Sequence, residues 1–513
     1  MPRAAVVSGA HHGRAGVARA LAAGALLAGA AVLPAAAVPE PAVAPLTLTP
    51  CRLPNLEHEA LCGRLTRPLD PDRPDATPIT LRIAVVPAVA RQKKPDPVLF
   101  LAGGPGQSAV ELAGPLARLT ARLANRRDLV LVDQRGTGDS APLTCPTPSA
   151  TASLADLADP QRQRDRLHAC RDRLQRLPHG DLRRYGTALA VEDLDAVRQA
   201  LGVAQWNVVG VSYGTRVALE LLRRHPQSVR RLVLDAVVEP AMRLPAAFAR
   251  DGQAALDALL AACTAAPACA AAYPELATRW RALRAGLPRA VSVPHPVTGR
   301  PETLVLTAEM AAALLRAPLY RPGLAAALPL AMHEAADGRF DALFGLASAA
   351  AGRPGGPGDI AEGEHFSVVC AEDLPPRADA AIGSAPSPDF GDVFERSYRD
   401  TCAGWPRGPV PADFHAPLPA TPVATLLLSG GADPVTPPVH AARVAASIGR
   451  TARHVVVPQA GHGVLSLGCA PDLLFRFIDA ADDAGALALD AGCLDGVPRP
   501  PALLPWPLPP APR

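Results

Sequence analysis

The sequence lacks the features that mark several broad classes of protein. Its 513 residues carry a net charge of only +3, and the three arginines of the first 37 residues account for that excess. A chain so balanced has no electrostatic footprint for nucleic acid or for an anionic membrane surface. It also contains no C-x-x-C pair, no H-E-x-x-H motif, no Walker loop and no EF-hand loop. We therefore expect neither a metal nor a cofactor.

The only early apolar run, residues 20–33, is too short to cross a membrane. It has 14 residues, whereas a spanning helix needs about 20. Arginines without acids precede it, and small residues that suit a cleavage site follow it at 35–37. This order is typical of a secretory signal peptide, with removal near Ala37. We expect residues 1–37 to be the signal, the protein to be exported to the extracellular or periplasmic space, and no membrane contact after removal.

All ten cysteines lie beyond this signal. An even number of cysteines in an exported chain predicts disulfides, because the compartment is oxidising. The simplest arrangement pairs them in sequence order: Cys51–Cys62, Cys145–Cys170, Cys263–Cys269, Cys370–Cys402 and Cys469–Cys493.

Short apolar strands alternate with helices in two parts of the chain. We predict strands over 81–86, 98–102, 129–132, 206–209, 231–237, 423–429 and 454–457, with helices over 187–201 and from 217. This alternation predicts an α/β fold with a mostly parallel sheet covered by helices on both faces. Residues 38–240 and 416–500 would form that core, and residues 241–415, which are Ala- and Leu-rich, a mainly helical insertion. Residues 501–513 are a Pro-rich tail.

Residues 210–214 (GVSYG) match G-x-S-x-G between a predicted strand and a predicted helix. Glycines on both sides of the serine allow the sharp turn that presents a nucleophile above the sheet edge. An ordinary turn is the alternative. We predict that Ser212 is a nucleophile, which needs a general base.

His462 lies between two glycines in the loop after the last predicted strand. The chain order serine, acid, histidine of this fold places the base there, although a surface turn would give the same pattern. Asp433 follows the strand at 423–429 and would hold the histidine in its productive tautomer. Asp235 is the competing acid.

Two backbone N–H groups are candidates for an oxyanion hole. Tyr213 follows the nucleophile, and Gly104 belongs to the glycine-rich segment 103–106 after the strand at 98–102. The alternative is a dinucleotide fingerprint, since Gly104, Gly106 and Ala109 have its spacing. Pro105 lacks the N–H that a phosphate cradle uses, which argues against that alternative.

With these residues placed, the chain resembles the secreted tripeptidyl/prolyl aminopeptidase branch of the α/β-hydrolase superfamily. The matching stretches are 62–70 (CGRLTRPLD), 101–106 (LAGGPG), 133–140 (DQRGTGDS), 210–215 (GVSYGT) and the loops around Asp433 and His462. Arg67 departs from the valine of many relatives, and prolyl iminopeptidases usually have Trp where Tyr213 stands. The resemblance implies a helical cap in the position of the insertion and residues that recognise a free amino terminus.

These features together predict an exported serine exopeptidase that acts on peptides with a free N-terminus. A carboxylate near the site must offset the desolvation of the substrate ammonium. Glu372 and Asp373 are the candidates, because they follow Cys370, which a disulfide would anchor, and because relatives have a similar stretch. A solvated acidic pair is the alternative.

Two other functions compete with the exopeptidase. An exported esterase or lipase would use the same triad, and a binding protein on an inactive hydrolase scaffold is the other rival.

Overall fold

The computed structural model describes residues 44–505, except positions 74 and 76 and the segments 352–357 and 375–386. The predicted signal peptide, residues 1–37, and the end of the Pro-rich tail lie outside the described residues. In the described part of the chain, no helix combines the length and the apolar character that crossing a bilayer requires.

A nine-stranded sheet forms the centre of the fold, and a separate two-stranded hairpin lies in the long insertion. The strands are β1 Thr49–Cys51, β2 Ala60–Pro68, β3 Pro78–Val86, β4 Val98–Leu101, β5 Leu129–Val132, β6 Trp206–Val211, β7 Val229–Asp235, β8 Arg289–Pro294, β9 Pro301–Leu306, β10 Ala424–Gly430 and β11 Ala452–Val457. The sheet order is β1-β2-β3-β5-β4-β6-β7-β10-β11. Six strands of this sheet run parallel to one another: β5, β4, β6, β7, β10 and β11. Strands β1, β2 and β3 are antiparallel to their neighbours.

Helices connect the strands and cover both faces of the sheet. They are α1 Ala113–Leu119, α2 Ala121–Ala124, α3 Leu154–Ala158, α4 Pro160–Leu174, α5 Thr187–Ala200, α6 Tyr213–Arg224, α7 Leu244–Ala265, α8 Pro267–Ala272, α9 Leu276–Ala285, α10 Ala308–Leu319, α11 Pro322–Ala325, α12 Leu328–Ala336, α13 Asp341–Ala351, α14 Glu362–Glu372, α15 Val393–Cys402, α16 Pro438–Ile448, α17 Ala470–Asp479 and α18 Asp483–Leu487.

Strand β4 shows why the sheet is buried on both sides. Leu99 and Leu101 belong to the core cluster that contains the apolar residues of α5 and α6, whereas Val98 and Phe100 belong to the opposite cluster with α17. Successive side chains of a strand point to opposite faces, so a strand covered on both faces must be apolar throughout. The predicted α/β-hydrolase sheet is therefore confirmed.

The insertion between β7 and β10 has an apolar cluster of its own. Helices α7, α9, α10, α12 and α13 contribute to it together with the hairpin β8–β9. Helix α14 differs, because Phe366, Val368 and Cys370 pack into the main core beside the sheet. The hairpin was not predicted, since its strands alternate buried and exposed residues within a segment rich in helix formers. Strand β2 was also not predicted.

All ten cysteines form disulfides in the predicted sequential order. Two of the five disulfides join or enclose helices. Cys370–Cys402 joins α14 to α15, and Cys469–Cys493 closes the segment that contains α17 and α18. Such crosslinks stabilise a fold mainly by restricting the unfolded chain.

Candidate active site

Ser212 occupies the sharp turn between β6 and α6. Its backbone is in a strained conformation, with φ 56° and ψ −126°. A Cβ on Gly210 would lie 2.5 Å from the Gly214 carbonyl oxygen, and one on Gly214 would lie 2.2 Å from the carbonyl oxygen of Leu101. Both flanking residues must therefore be glycine, for reasons of space alone. This is the turn that the G-x-S-x-G pattern predicted.

His462 and Asp433 lie in direct contact. The imidazole Nδ1 is 2.9 Å from Asp433 Oδ2 and 3.1 Å from Oδ1. Because a carboxylate only accepts, Nδ1 carries the proton and Nε2 is left as the acceptor that a general base needs. The backbone N–H of His462 donates to the carbonyl of Tyr320 at 3.0 Å.

Several donors hold the Asp433 carboxylate in place. Oδ1 accepts the backbone N–H groups of Val435 and Thr436, and Oδ2 accepts the Thr436 hydroxyl at 2.7 Å. Burial by itself raises the pKa of Asp433, but the His462 charge and these donors outweigh it and lower the pKa. Burial likewise lowers the pKa of His462, and Asp433 reverses this to a net rise. Sequence reasoning missed Thr436, although an acid followed by a threonine three residues later is typical of such a turn.

The competing acid, Asp235, has a different position. Its backbone carbonyl accepts the N–H of Ser212 at 2.9 Å, and its carboxylate accepts the N–H groups of Val464 and Leu465. Asp235 therefore joins the turn that carries Ser212 to the loop that carries His462. Burial, only partly offset by these donors, raises its pKa to about 6. The imidazole Nδ1 binds Asp433 instead.

The glycine-rich segment after β4 lies against Ser212. A Cβ on Gly103 would be 3.1 Å from the Ser212 Cβ. Gly104 has φ +110°, a conformation that L side chains rarely adopt. On the other side, Tyr213 is the first residue of α6, so its N–H has no acceptor within the helix. The structure thus places Tyr213 directly after the nucleophile, and Gly104 one residue beyond Gly103, which lies against the nucleophile.

Two side chains brace this segment, those of Gln107 and His365. Gln107 Oε1 accepts the N–H of Gly103, and its amide donates to the carbonyl of Gly358. His365 on α14 lies 3.1 Å from the Pro105 carbonyl through Nδ1 and 2.9 Å from the Tyr398 hydroxyl through Nε2. Burial lowers the pKa of His365, so the neutral ring donates from Nδ1 and accepts at Nε2. His365 was not singled out from the sequence, because a lone histidine on a helix carries no signal.

Glu372 and Asp373 are buried rather than solvated. Asp373 accepts two hydrogen bonds from Arg216 on α6, at 2.9 and 3.1 Å. Glu372 accepts the backbone N–H and the hydroxyl of Thr187, and that hydroxyl also contacts the Tyr213 hydroxyl at 2.7 Å. Burial raises the pKa of Glu372 to about 7, against the opposing charge of Arg216. The two predicted substrate-binding carboxylates therefore lie in one network with the helix that follows Ser212.

Another buried acid of α14, Glu364, interacts electrostatically with Glu372. Glu364 is 2% exposed, and its Oε2 has no hydrogen-bond partner among the described residues. Burial, reinforced by the charge of Glu372, raises its pKa well above the usual range.

The sheet order and the turn at Ser212 define an α/β hydrolase. Comparison with known proteins agrees: residues 96–261 match the alpha/beta hydrolase fold family, and residues 387–482 match the TAP-like protein family. Serine protease Hip1 of Mycobacterium tuberculosis is 30% identical over 77% of this chain and 81% of its own. The chain therefore belongs to the tripeptidyl/prolyl aminopeptidase branch of the α/β-hydrolase superfamily, as the sequence motifs predicted, and is a hydrolase.

Two further relatives cover different shares of the chain. The tripeptidyl aminopeptidase of Streptomyces lividans is 33% identical over 36% of this chain and 37% of its own. Carboxylesterase B of M. tuberculosis is 28% identical over 74% of this chain and 76% of its own. Peptidases and an esterase thus share this scaffold.

Proposed function

We propose that the protein is an exported serine exopeptidase that releases short peptides or single residues from the N-terminus of peptide substrates. The observation that carries this proposal is the hydrogen-bond network around Ser212, His462 and Asp433. Asp235 connects the strained turn at Ser212 to the loop of His462, and the His462 imidazole is hydrogen-bonded to Asp433. Similarity to a serine protease and to a tripeptidyl aminopeptidase supports peptide bonds as the target.

The proposed reaction uses these groups in a fixed order. Ser212 Oγ attacks the scissile carbonyl carbon, and His462 Nε2 takes the hydroxyl proton. The oxyanion accepts hydrogen bonds from the N–H groups of Gly104 and Tyr213. His462 then gives the proton to the leaving amine, which leaves an acyl-enzyme on Ser212. Water attacks that ester with His462 again as base, and the serine is restored.

Asp433 supports this sequence without taking the proton. Its carboxylate holds the tautomer that leaves Nε2 free and stabilises the imidazolium that forms. The donors from residues 435 and 436 favour its charged form.

Export is part of the proposal. Five disulfides within the described chain fit an oxidising compartment. The basic, apolar and small-residue order of residues 1–37 supplies a route to that compartment.

We propose Glu372 and Asp373 as the groups that attract the substrate amino terminus. Arg216 lies 2.9 Å from Asp373 but 3.9 Å from Glu372. Arg243 is a second cation beside this pair and donates to the backbone carbonyl of Glu372. The Glu372 carboxylate itself has no cation closer than the 3.9 Å contact with Arg216 among the described residues, which is where a substrate ammonium would bind. Glu372→Gln is expected to raise KM for peptides with a free amine and to leave a small neutral ester almost untouched.

The decisive experiment compares chromogenic peptides of one to three residues, each free or acetylated at its amino terminus, with short-chain esters. We expect cleavage of the free peptides and none of the acetylated ones. Equal cleavage of both would contradict an exopeptidase. Hydrolysis of esters alone would favour the second candidate, a carboxylesterase, which the similarity to carboxylesterase B supports.

A further inference from the structure

Arg316 lies in a cage of aromatic side chains within the insertion. Its guanidinium carbon is 4.0 Å from the ring centre of Phe248, 5.0 Å from that of Phe394 and 5.2 Å from that of Tyr320. These rings come from α7, from α15 and from the residue that ends α10. Aromatic faces attract a cation electrostatically, so they fix the guanidinium in place without using its N–H groups.

Two donors of this guanidinium are buried and unused. Nε and Nη2 of Arg316 have no hydrogen-bond partner among the residues that the structure describes. Leaving buried donors unsatisfied is costly, and most native structures avoid it. Arg316 lies against the ring of Tyr320, which in turn contacts His462, so a ligand group that reached these donors would supply the missing acceptor.

The unused pair has the geometry that holds a carboxylate. Nε and Nη2 form one edge of the guanidinium, and the same edge of Arg135 binds both oxygens of Asp193, at 2.7 and 2.9 Å. The planar fork matches the two oxygens of a carboxylate in a bidentate contact. In Arg135 the partner belongs to the protein, whereas at Arg316 no carboxylate of the described residues forms an ion pair.

The cage also borders the catalytic histidine. The ring of Tyr320 is 5.2 Å from the ring of His462, and its carbonyl accepts the His462 N–H. Val435, next to the Asp433 loop, packs in the same apolar cluster as Phe248. A single aromatic ring thus separates Arg316 from the imidazole. Burial and the Arg316 charge both act to lower the pKa of His462, and the carboxylates of Asp433 and Asp235 together outweigh them.

We propose that Arg316 binds a carboxylate of the substrate close to the scissile bond. This inference rests on the proposed function for its peptide substrates. The carboxylate comes either from the free C-terminus of a short peptide or from an acidic side chain. Both sources present the same planar group, so the site selects acidic substrates over their neutral counterparts.

The test measures ratios of kcat/KM for matched substrate pairs. One pair is the peptide Ala-Ala-Ala-Ala as free acid and as C-terminal amide, and the second is Ala-Ala-Asp-anilide beside Ala-Ala-Asn-anilide. A third pair uses p-nitrophenyl hydrogen succinate beside its methyl ester. We expect at least one acidic member to be preferred about tenfold or more, as a charge-assisted bidentate contact allows. The pair that shows the preference identifies the source of the carboxylate.

The variants Arg316→Gln and Arg316→Lys then assign that preference. Gln removes the charge and should bring the ratio close to one, whereas Lys keeps the charge without the fork and should give an intermediate ratio. Arg321→Gln is the matched control, because Arg321 is exposed and lies only five residues away. It should keep the wild-type ratio.

The outcomes separate the two proposals. Ratios near one for all three pairs in the wild type, or an unchanged preference in Arg316→Gln, would overturn the role of Arg316 whether or not peptides are cleaved. If no peptide is cleaved, the exopeptidase proposal fails, while the succinate pair still decides on Arg316. The ratios measured on the wild-type enzyme can overturn the inference without any variant. The test therefore remains decisive even if the Arg316 variants do not fold.

Discussion

The backbone of Ser212 has a strained conformation, which destabilises the folded protein by roughly 1–3 kcal/mol. The φ of 56° is imposed because the turn must place the side chain between β6 and α6, in contact with the segment after β4. Strain of this kind persists only where the surrounding structure determines the conformation. Here Asp235 supplies that constraint through its bond to the Ser212 N–H.

Replacing the nucleophile tests its role directly. Ser212→Ala is expected to fold normally and to lose roughly 10⁴–10⁶-fold in kcat, because no acyl-enzyme can form. Steady-state kinetics and a thermal melt check both parts of this expectation. Ser447→Ala, which removes a hydroxyl from the far end of α16, is the control and should keep full activity. A Ser212→Ala variant with a tenth of wild-type activity would show that another group is the nucleophile.

The protonation of His462 predicts a pH profile. A general base must be neutral, so activity is present above its pKa and is lost as the pH falls through it. Because Asp433 raises this pKa above the usual 6.5, we expect the acid limb of kcat/KM to lie above pH 6.5. Asp433→Asn should lower kcat about 10⁴-fold by favouring the wrong tautomer. An acid limb well below pH 6 in the wild type would contradict this assignment.

Among the elements, α14 has contacts with both halves of the proposed machinery. Its His365 braces the segment of Gly104 through the Pro105 carbonyl. At its other end, Glu372 reaches Thr187, and the neighbouring Asp373 pairs with Arg216. The disulfide Cys370–Cys402 anchors this end of the helix to α15. A shift of α14 would therefore move the oxyanion segment and the helix after Ser212 together.

The ion pair at the end of α14 predicts a large effect on stability. Arg216 and Asp373 are both fully buried, so Asp373→Ala removes the closest carboxylate of a buried guanidinium and leaves only Glu372, at 3.9 Å, as its counter-charge. We expect a loss of about 3–5 kcal/mol in the free energy of unfolding, measured by chemical denaturation. The control is Asp392→Ala, which breaks an exposed pair with Arg396 and should cost at most about 1 kcal/mol. Equal effects of the two substitutions would argue against a charged buried pair.

On the scale of the whole molecule, His440 connects three distant parts of the chain. Its Nδ1 contacts Glu239 after β7 at 2.8 Å, and its Nε2 contacts Asp251 on α7 at 2.9 Å. Both nitrogens face carboxylates, so the buried ring is doubly protonated. Arg443 also binds Glu239, and Arg250 binds Asp251. The ion pairs of this cluster therefore connect the insertion, through Asp251, to the core, through His440.

The His440 cluster makes stability depend on pH. Burial lowers the pKa of His440, but the two carboxylates outweigh it and raise the pKa above 6.5. The stabilisation is therefore fully present below about pH 6.5 and is lost as the pH rises through the folded-state pKa. We expect the difference in free energy of unfolding between the wild type and His440→Gln to shrink over that range. A difference that stays constant from pH 5.5 to 9 would show that the ring is neutral.

Local patterns in the sequence were enough for much of this molecule. The turn at Ser212 depends on Gly210 and Gly214, two residues to either side of the serine, and apolar runs specify strands such as β4, β5 and β10, so both are readable within a few residues. The five disulfides join neighbours in the order of the cysteines. The predicted fold class and family needed no more than these signals and the motifs around them.

Long-range packing decided the rest, because burial and charge pairing depend on residues that are distant in the chain. The carboxylate of Asp235 meets the backbone of Val464, more than 200 residues later. From the sequence, a solvated acidic pair was an open alternative for Glu372 and Asp373. In the structure both are buried, Glu372 against Thr187 and Asp373 against Arg216. The cage of Arg316 is assembled from three separate segments of the insertion. A sequence specifies which charges exist, but only the tertiary structure determines which of them lose water and which remain without a partner.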